Sequence, residues 1–207
     1  MYVILAEISA AIITLFVILD PVGVLPFFIG LTHNISVQQR KRLANRAVMI
    51  ATMLLLVFAF LGDLILLFLG IKIADMEIAG GALLLIFALR DALSNEPLGA
   101  VESEDVQDRA KRIEVMTVIP IATPLLAGPG SLTTVMLFTR EPDGVFVAIA
   151  AIVVDCLIAW ILLHLGDKIT RKLGPTVLLI VAKVMDILMA AIAVSFLTSG
   201  LTSIFGL

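Results

Sequence analysis

Charge is scarce in this sequence. Charged residues make up 15% of the 207 positions and apolar ones 61%, against roughly a quarter and a half in an ordinary soluble domain. Too few polar side chains remain to cover a water-facing surface. There is one cysteine, Cys156, so no intrachain disulfide can form, and it says nothing about redox compartment. Two histidines, His33 and His164, and that single cysteine give no metal-binding cluster. No Gly-x4-Gly-Lys phosphate loop occurs, which excludes direct drive by ATP. The net charge of −3 implies no nucleic-acid partner. Nothing positive precedes the first apolar run, and that run is too long for the core of a cleavable signal, so it is expected to remain as a span.

What the chain has in abundance is long apolar runs. A hydrocarbon core about 30 Å thick takes about 20 residues of helix. Six stretches meet that length: 3–32, 46–69, 72–92, 115–139, 144–166 and 176–205. The predicted class is an all-α polytopic membrane protein, one membrane domain over 1–207, with the lipid bilayer as its first partner. Lysine and arginine set the orientation. Loops 1–2, 3–4 and 5–6 hold eleven positives, among them Arg40, Arg42, Arg109, Lys168 and Arg171, and the opposite face holds two, Lys72 and Arg140. Both termini are expected outside, with the basic loops in the cytoplasm. The longest connection, 94–114, is rich in acid and base and reads as a solvated linker.

Two of the apolar stretches are interrupted in the same manner. Residues 20–26 read DPVGVLP and residues 124–130 read PLLAGPG. Aligning Pro21 with Pro124 also aligns Pro26 with Pro129; a small residue lies between each pair, and a polar residue, Asp20 or Thr123, precedes it. Spans 1–3 and 4–6 therefore read as two copies of one unit: repeat one over 1–93 and repeat two over 115–207. An odd number of spans per copy inserts the second upside down, and interrupted helices at matching places in inverted copies point to a transporter's binding site. Proline lacks its N–H and clashes with the preceding turn, the residue before it leaves the α region, and glycine tolerates the unwound backbone. A single such proline commonly serves only to kink a helix. Two matched pairs ask for more, because bare backbone groups cost several kcal/mol each in hydrocarbon unless protein or a wet cavity satisfies them.

A half-helix N-terminus suits an anion and a carbonyl end suits a cation. The expected ligand is thus a small zwitterionic amino acid, its carboxylate on the N–H groups around Gly23 to Pro26 and Gly128 to Ser131, its ammonium near Asp20 and Thr123. The candidate binding residues are Asp20, Pro21, Gly23, Pro26, Thr123, Pro124, Gly128, Pro129, Gly130 and Ser131. Asp20 reads equally as a structural cap on the interruption.

With both motifs in view, the chain resembles the MarC family, named for multiple antibiotic resistance. Its neutral amino acid transporter branch carries Asn/Asp-Pro-x-Gly-x-x-Pro in span 1 and Pro-Leu-x-x-Gly-Pro-Gly in span 4, and the span 3 glycine pair is matched by Gly80-Gly81. The resemblance implies six helices in an inner membrane and glycine or alanine as substrates. The chain departs from the family in span 6, where an Arg and a Gly three residues on correspond to Lys183 and Asp186.

Ionisable residues inside a membrane are candidate functional groups by default. Lys183 and Asp186 are spaced to pair across a helical turn, and Asp155 in span 5 is placed to join them, as a neutralised structural cluster or as part of a proton path. No cofactor is expected; a coupling ion, H+ or Na+, is. Gly80-Gly81-Ala82 and Ala190-Ala191 with Ala193 read as helix–helix contacts. Homo-oligomerisation is allowed but not required. Two further readings stand beside transport of amino acids: export of other small metabolites or drugs on the same fold, and a membrane hydrolase using Ser131 with His164. Against the hydrolase, Ser131 reads as a helix cap.

Overall fold

The computed structural model describes residues 2–32, 35–93 and 126–206, and all regular structure among them is helical. The 94–114 linker, the first half of the fourth expected span, Thr123, Pro124 and His33 lie outside the described residues. Six helices are present among the described residues: α1 Tyr2–Leu19, α2 Pro21–Thr32, α3 Val37–Leu69, α4 Ile73–Leu93, α5 Pro129–Phe138 and α6 Gly144–Phe205. The last is bent at Gly174, whose φ of 78° and ψ of 158° are not helical. That backbone suits glycine, which has no Cβ to clash, and the following Pro175 disfavours helix at the position before it. The bend divides α6 into a proximal arm, Gly144–Gly174, and a distal arm, Thr176–Phe205.

Among the described residues, four stretches are long and apolar enough to cross a membrane: Ile4–Leu25, Val37–Leu69 and the two arms of α6. The sequence predicts six. The third of those, 72–92, is realised as α4 at 21 residues, but Asp75, Glu77 and Arg90 near its ends make it less apolar than the four. The described part of the fourth is the ten-residue α5. Large apolar side chains are turned outward along the long helices, among them Phe68 at 91% exposure, Leu67, Phe146 and Ile187. Such a surface fits lipid, not water.

The interior has two apolar clusters. The larger joins Leu15 and Leu19 of α1, Phe28 of α2, Leu55 of α3, Val135 of α5 and Ile152 of the proximal arm. The smaller joins Val17 and Ile18 of α1 to Leu84 and Ala88 of α4 and to Met189 and Ala193 of the distal arm. α1 therefore contributes to both. Small residues let the remaining helices close up. A Cβ on Gly81 would lie 2.8 Å from the Ala193 carbonyl oxygen, and one on Gly80 2.6 Å from the Thr133 hydroxyl. The glycine pair thus seats α4 against the distal arm and α5, as its composition suggests. Ala191 is exposed and takes no part.

Candidate functional site

α1 and α2 are separated by one residue. Asp20 has φ of 40°, the left-handed region, which Asp tolerates better than most non-glycine residues. The backbone ladder closes on both sides of it: Asp20 N–H donates to Phe16 O, and Val24 N–H donates to Asp20 O, each at 3.0 Å. Between them lie three positions, of which two, Val22 and Gly23, carry an N–H. Pro21 has none. Gly23 N–H donates to Asp20 Oδ1 at 3.0 Å, the geometry of an N-cap. A Cβ at position 23 would fall 2.0 Å from Asp20 Oδ2. Hence Asp-Pro-x-Gly is one local device: proline opens the new helix where no donor is needed, aspartate caps it, and glycine leaves room for the carboxylate. Asp20 is buried at 7% exposure. It caps α2, and Gly23 N–H is engaged by it.

α5 begins differently. Its N-cap is Gly128, extended at φ −77° and ψ 173°, with proline at the first helical position and no side-chain cap. Ser131, expected to cap this end, instead donates its hydroxyl toward Gly128 O at 2.9 Å and Leu126 O at 3.2 Å. Thr133 and Thr134 donate to Pro129 O and Gly130 O. All three hydroxyls donate to carbonyls, so among the described residues none of them covers the N–H pole. Gly130 and Ser131 are buried, with Gly130 so close to Leu84 that a Cβ would meet its Cγ at 2.2 Å.

The register of the two interruptions also differs from the expected one. The first motif restarts its helix at the first proline, Pro21, and the second restarts at the second proline, Pro129. The flanking side chains nonetheless converge: Leu19 and Val24 on one side and Leu126 and Ala127 on the other belong to the same buried cluster, and α1 touches α5. Pro21 is buried at the head of α2, and Pro26 lies within that helix.

The three candidate charges do not form one cluster. Lys183 Nζ donates to Ala92 O at 3.0 Å, at the C-terminal end of α4, where open carbonyls favour a cation. Asp186 is buried on the same arm as Lys183. Asp155 stands apart, in the buried stripe of the proximal arm with Ala148, Ala151, Ile152 and Ala159. It has no exposed surface, and among the described residues neither carboxyl oxygen has a hydrogen-bond partner. Its direct sequence neighbour Cys156 is buried in the same stripe.

Sequence reasoning passed over several polar contacts. Glu77 is buried and accepts from Ser199 Oγ at 3.2 Å. Arg40 pairs with Asp167 and donates from Nη2 to Thr32 O at 2.8 Å. Arg140 donates to Asp63 Oδ1 from Nη2 at 2.6 Å and from Nε at 3.1 Å. As for a hydrolase, His164 sits on Trp160, ring to ring at 4.3 Å with Nδ1 at 3.0 Å from Trp160 O, while Ser131 is committed to carbonyls. Among the described residues no group of three or more His, Cys, Asp or Glu is placed to hold a metal ion.

The model of the MarC family integral membrane proteins matches residues 5–205. A UPF0056 membrane protein of Archaeoglobus fulgidus is 36% identical over 200 residues, covering 93% of this chain and 91% of its own. One from Methanocaldococcus jannaschii is 33% identical over 191 residues, with 91% and 92% covered. The UPF0056 membrane protein YhcE of Escherichia coli is 31% identical over 204 residues, with 93% and 91% covered. No solved structure matches the chain. Full-length agreement with the family model, together with an all-helical fold whose long helices turn apolar side chains outward, establishes that this chain is a member of the MarC family of integral membrane proteins.

Proposed function

We propose that the protein is a secondary transporter of small neutral amino acids, of the glycine and alanine class, working by alternating access. Its two halves, 1–93 and 115–207, act as inverted repeats, with both termini outside and the basic loops on the cytoplasmic side of the cell membrane. The observation that carries this reading is the pair of proline-started helices whose flanking residues share one buried cluster. One helix carries a carboxylate at its start and the other has no side-chain cap. A zwitterion complements that pair: its carboxylate at the uncapped start of α5, against Gly130 and Ser131 N–H, and its ammonium beside Asp20. Thr123, Pro124 and Pro26 are assigned to the same site by their place in the two sequence motifs alone.

Asp155 supplies the coupling step. A bare carboxylate with no partner at such a place costs several kcal/mol, so the position is a natural seat for a proton or a small cation that arrives with the substrate. The titratable neighbour on its own helix is Cys156; Lys183 and Asp186 belong to the distal arm and serve the contact with α4.

Labelled glycine or alanine flux in proteoliposomes, with pH and sodium gradients imposed in turn, tests the reading. Flux above empty vesicles, driven by one of the two gradients and uncoupled from it by Asp155→Asn, is the expected result. Efflux of an unrelated metabolite or drug with no amino acid flux would reassign the substrate; no flux over a broad panel would overturn transport.

A further inference from the structure

Among the described residues, the ion pairs Arg40–Asp167 and Arg140–Asp63 tie the first half of the chain to the second, and they lie at opposite ends of the same two helices. Arg40 is in the first turn of α3 and reaches Asp167, seven residues before the bend at Gly174. Arg140 lies in the turn ahead of α6 and reaches Asp63, six residues before the end of α3 at Leu69. Arg40 and Asp63 are 23 residues apart on one helix, about 35 Å at 1.5 Å per residue. That is about the thickness of a hydrocarbon core, so one pair belongs to each face. Each consists of an arginine just past an interrupted span and an aspartate near the far end of the second span of the other half. Inversion of one half onto the other exchanges the two pairs.

We infer that Arg40–Asp167 and Arg140–Asp63 are the two gates of the transport cycle, cytoplasmic and outer, each holding α3 to the proximal arm of α6 at one face. The inference rests on the transport reading. Both pairs are engaged in this conformation, so the path is latched at both ends. Rocking one half against the other opens a face only after its pair has parted, and the surviving pair serves as the pivot. Interfaces of this kind switch between discrete arrangements instead of deforming gradually.

The two gates are unequal. The side chains of Arg40 and Asp167 are 13% and 36% exposed, those of Arg140 and Asp63 43% and 58%. Screening by water weakens the outer pair. The inner arginine also holds Thr32 O, where α2 ends, so its release loosens the broken span itself. Its Nε is buried with no hydrogen-bond partner among the described residues, an unfavourable arrangement for a guanidinium and one that parting of the pair relieves. Beside the outer pair a cleft of about 620 Å³, lined by Lys72, Ala74 and Ser203 among others, opens to the surface. It is the entry that this gate would guard.

Spin-label distances test the gates without reference to any substrate. In a Cys156→Ser background, one label pair at positions 37 and 172 reports the inner face and another at 69 and 141 the outer; Val37, Lys172, Leu69 and Glu141 are all exposed. Arg40→Gln is expected to lengthen the inner distance by on the order of one helical turn, about 5 Å, and leave the outer one in place. Asp63→Asn should do the reverse. The exchange Arg40→Asp with Asp167→Arg should restore the inner distance. Asp167→Asn breaks the pair while leaving the Arg40 bond to Thr32, so a fold defect from that lost bond does not imitate gating. Distances that ignore all of these variants, or that change together at both faces, overturn the inference. Flux and distances fail separately: responsive distances without flux remove transport and keep the two latches, and full flux with unmoved distances removes the latches and keeps transport.

Discussion

α2 and α5 start alike and end their starts differently. Each has proline at the first helical position in the buried centre of the protein, where a missing N–H does no harm. The residue before the proline then decides the chemistry. Aspartate at 20 folds its carboxylate back onto Gly23 N–H and fills the positive pole of α2. Glycine at 128 brings no side chain, and the nearby hydroxyls of Ser131, Thr133 and Thr134 all turn to carbonyls. The same backbone event thus produces a negative group in one place and a buried donor set without a side-chain cap in the other. What the difference teaches is that a repeated motif need not make a repeated site. Two copies can diverge into complementary poles.

The largest expected effect comes from filling the space that lets α5 approach α4. Gly130→Val places atoms where Leu84 already lies; overpacking of this kind costs about 1–3 kcal/mol. It should lower the yield of folded protein, read as the monodisperse fraction in detergent and as the thermal midpoint. Next is Gly128→Asp, which gives α5 the cap that α2 has. The extended backbone at 128 accepts aspartate, and capping contributes about 1 kcal/mol. The variant is expected to be as stable as wild type or more so, yet to lose flux at least tenfold, because its own carboxylate occupies the place proposed for the substrate's. Gly23→Ala should cut in the opposite direction, dislodging Asp20 from its cap and lowering stability by about 1 kcal/mol, measurable as a fall in thermal midpoint. The smallest structural effect belongs to Asp20→Asn. Asparagine caps as well as aspartate and also tolerates positive φ, so the thermal midpoint should stay put while substrate affinity falls. An equal loss in both would make Asp20 a cap and nothing more.

Much of the fold was legible because the bilayer imposes a length and an apolar composition on each span; α3 and both arms of α6 follow directly from that. The boundary between Leu19 and Pro21 was legible too, since proline and the residue before it have few backbone choices. The cap on α2 was visible as an alternative, because Asp three positions before Gly is a short-range pattern. The choice of proline at which α5 begins was not. It depends on how Gly130 packs against Leu84, a contact between residues 46 positions apart. The Arg40–Asp167 and Arg140–Asp63 pairs were hidden for the same reason: each residue looks like ordinary loop or end-of-span charge until the other half of the chain is beside it. Asp155 was named from the sequence as a charge within a span, but its place in the buried stripe of the proximal arm was not legible. Depth along a helix can be counted, whereas the side a residue faces depends on packing.

The account stands or falls on whether the uncapped start of α5 receives a carboxylate. Glycine binding to purified protein in detergent, measured by calorimetry for wild type and Gly128→Asp, tests this most directly. Saturable binding by wild type, reduced at least tenfold in a Gly128→Asp protein that melts no lower, is the predicted result. Equal glycine affinity in the two proteins would contradict it.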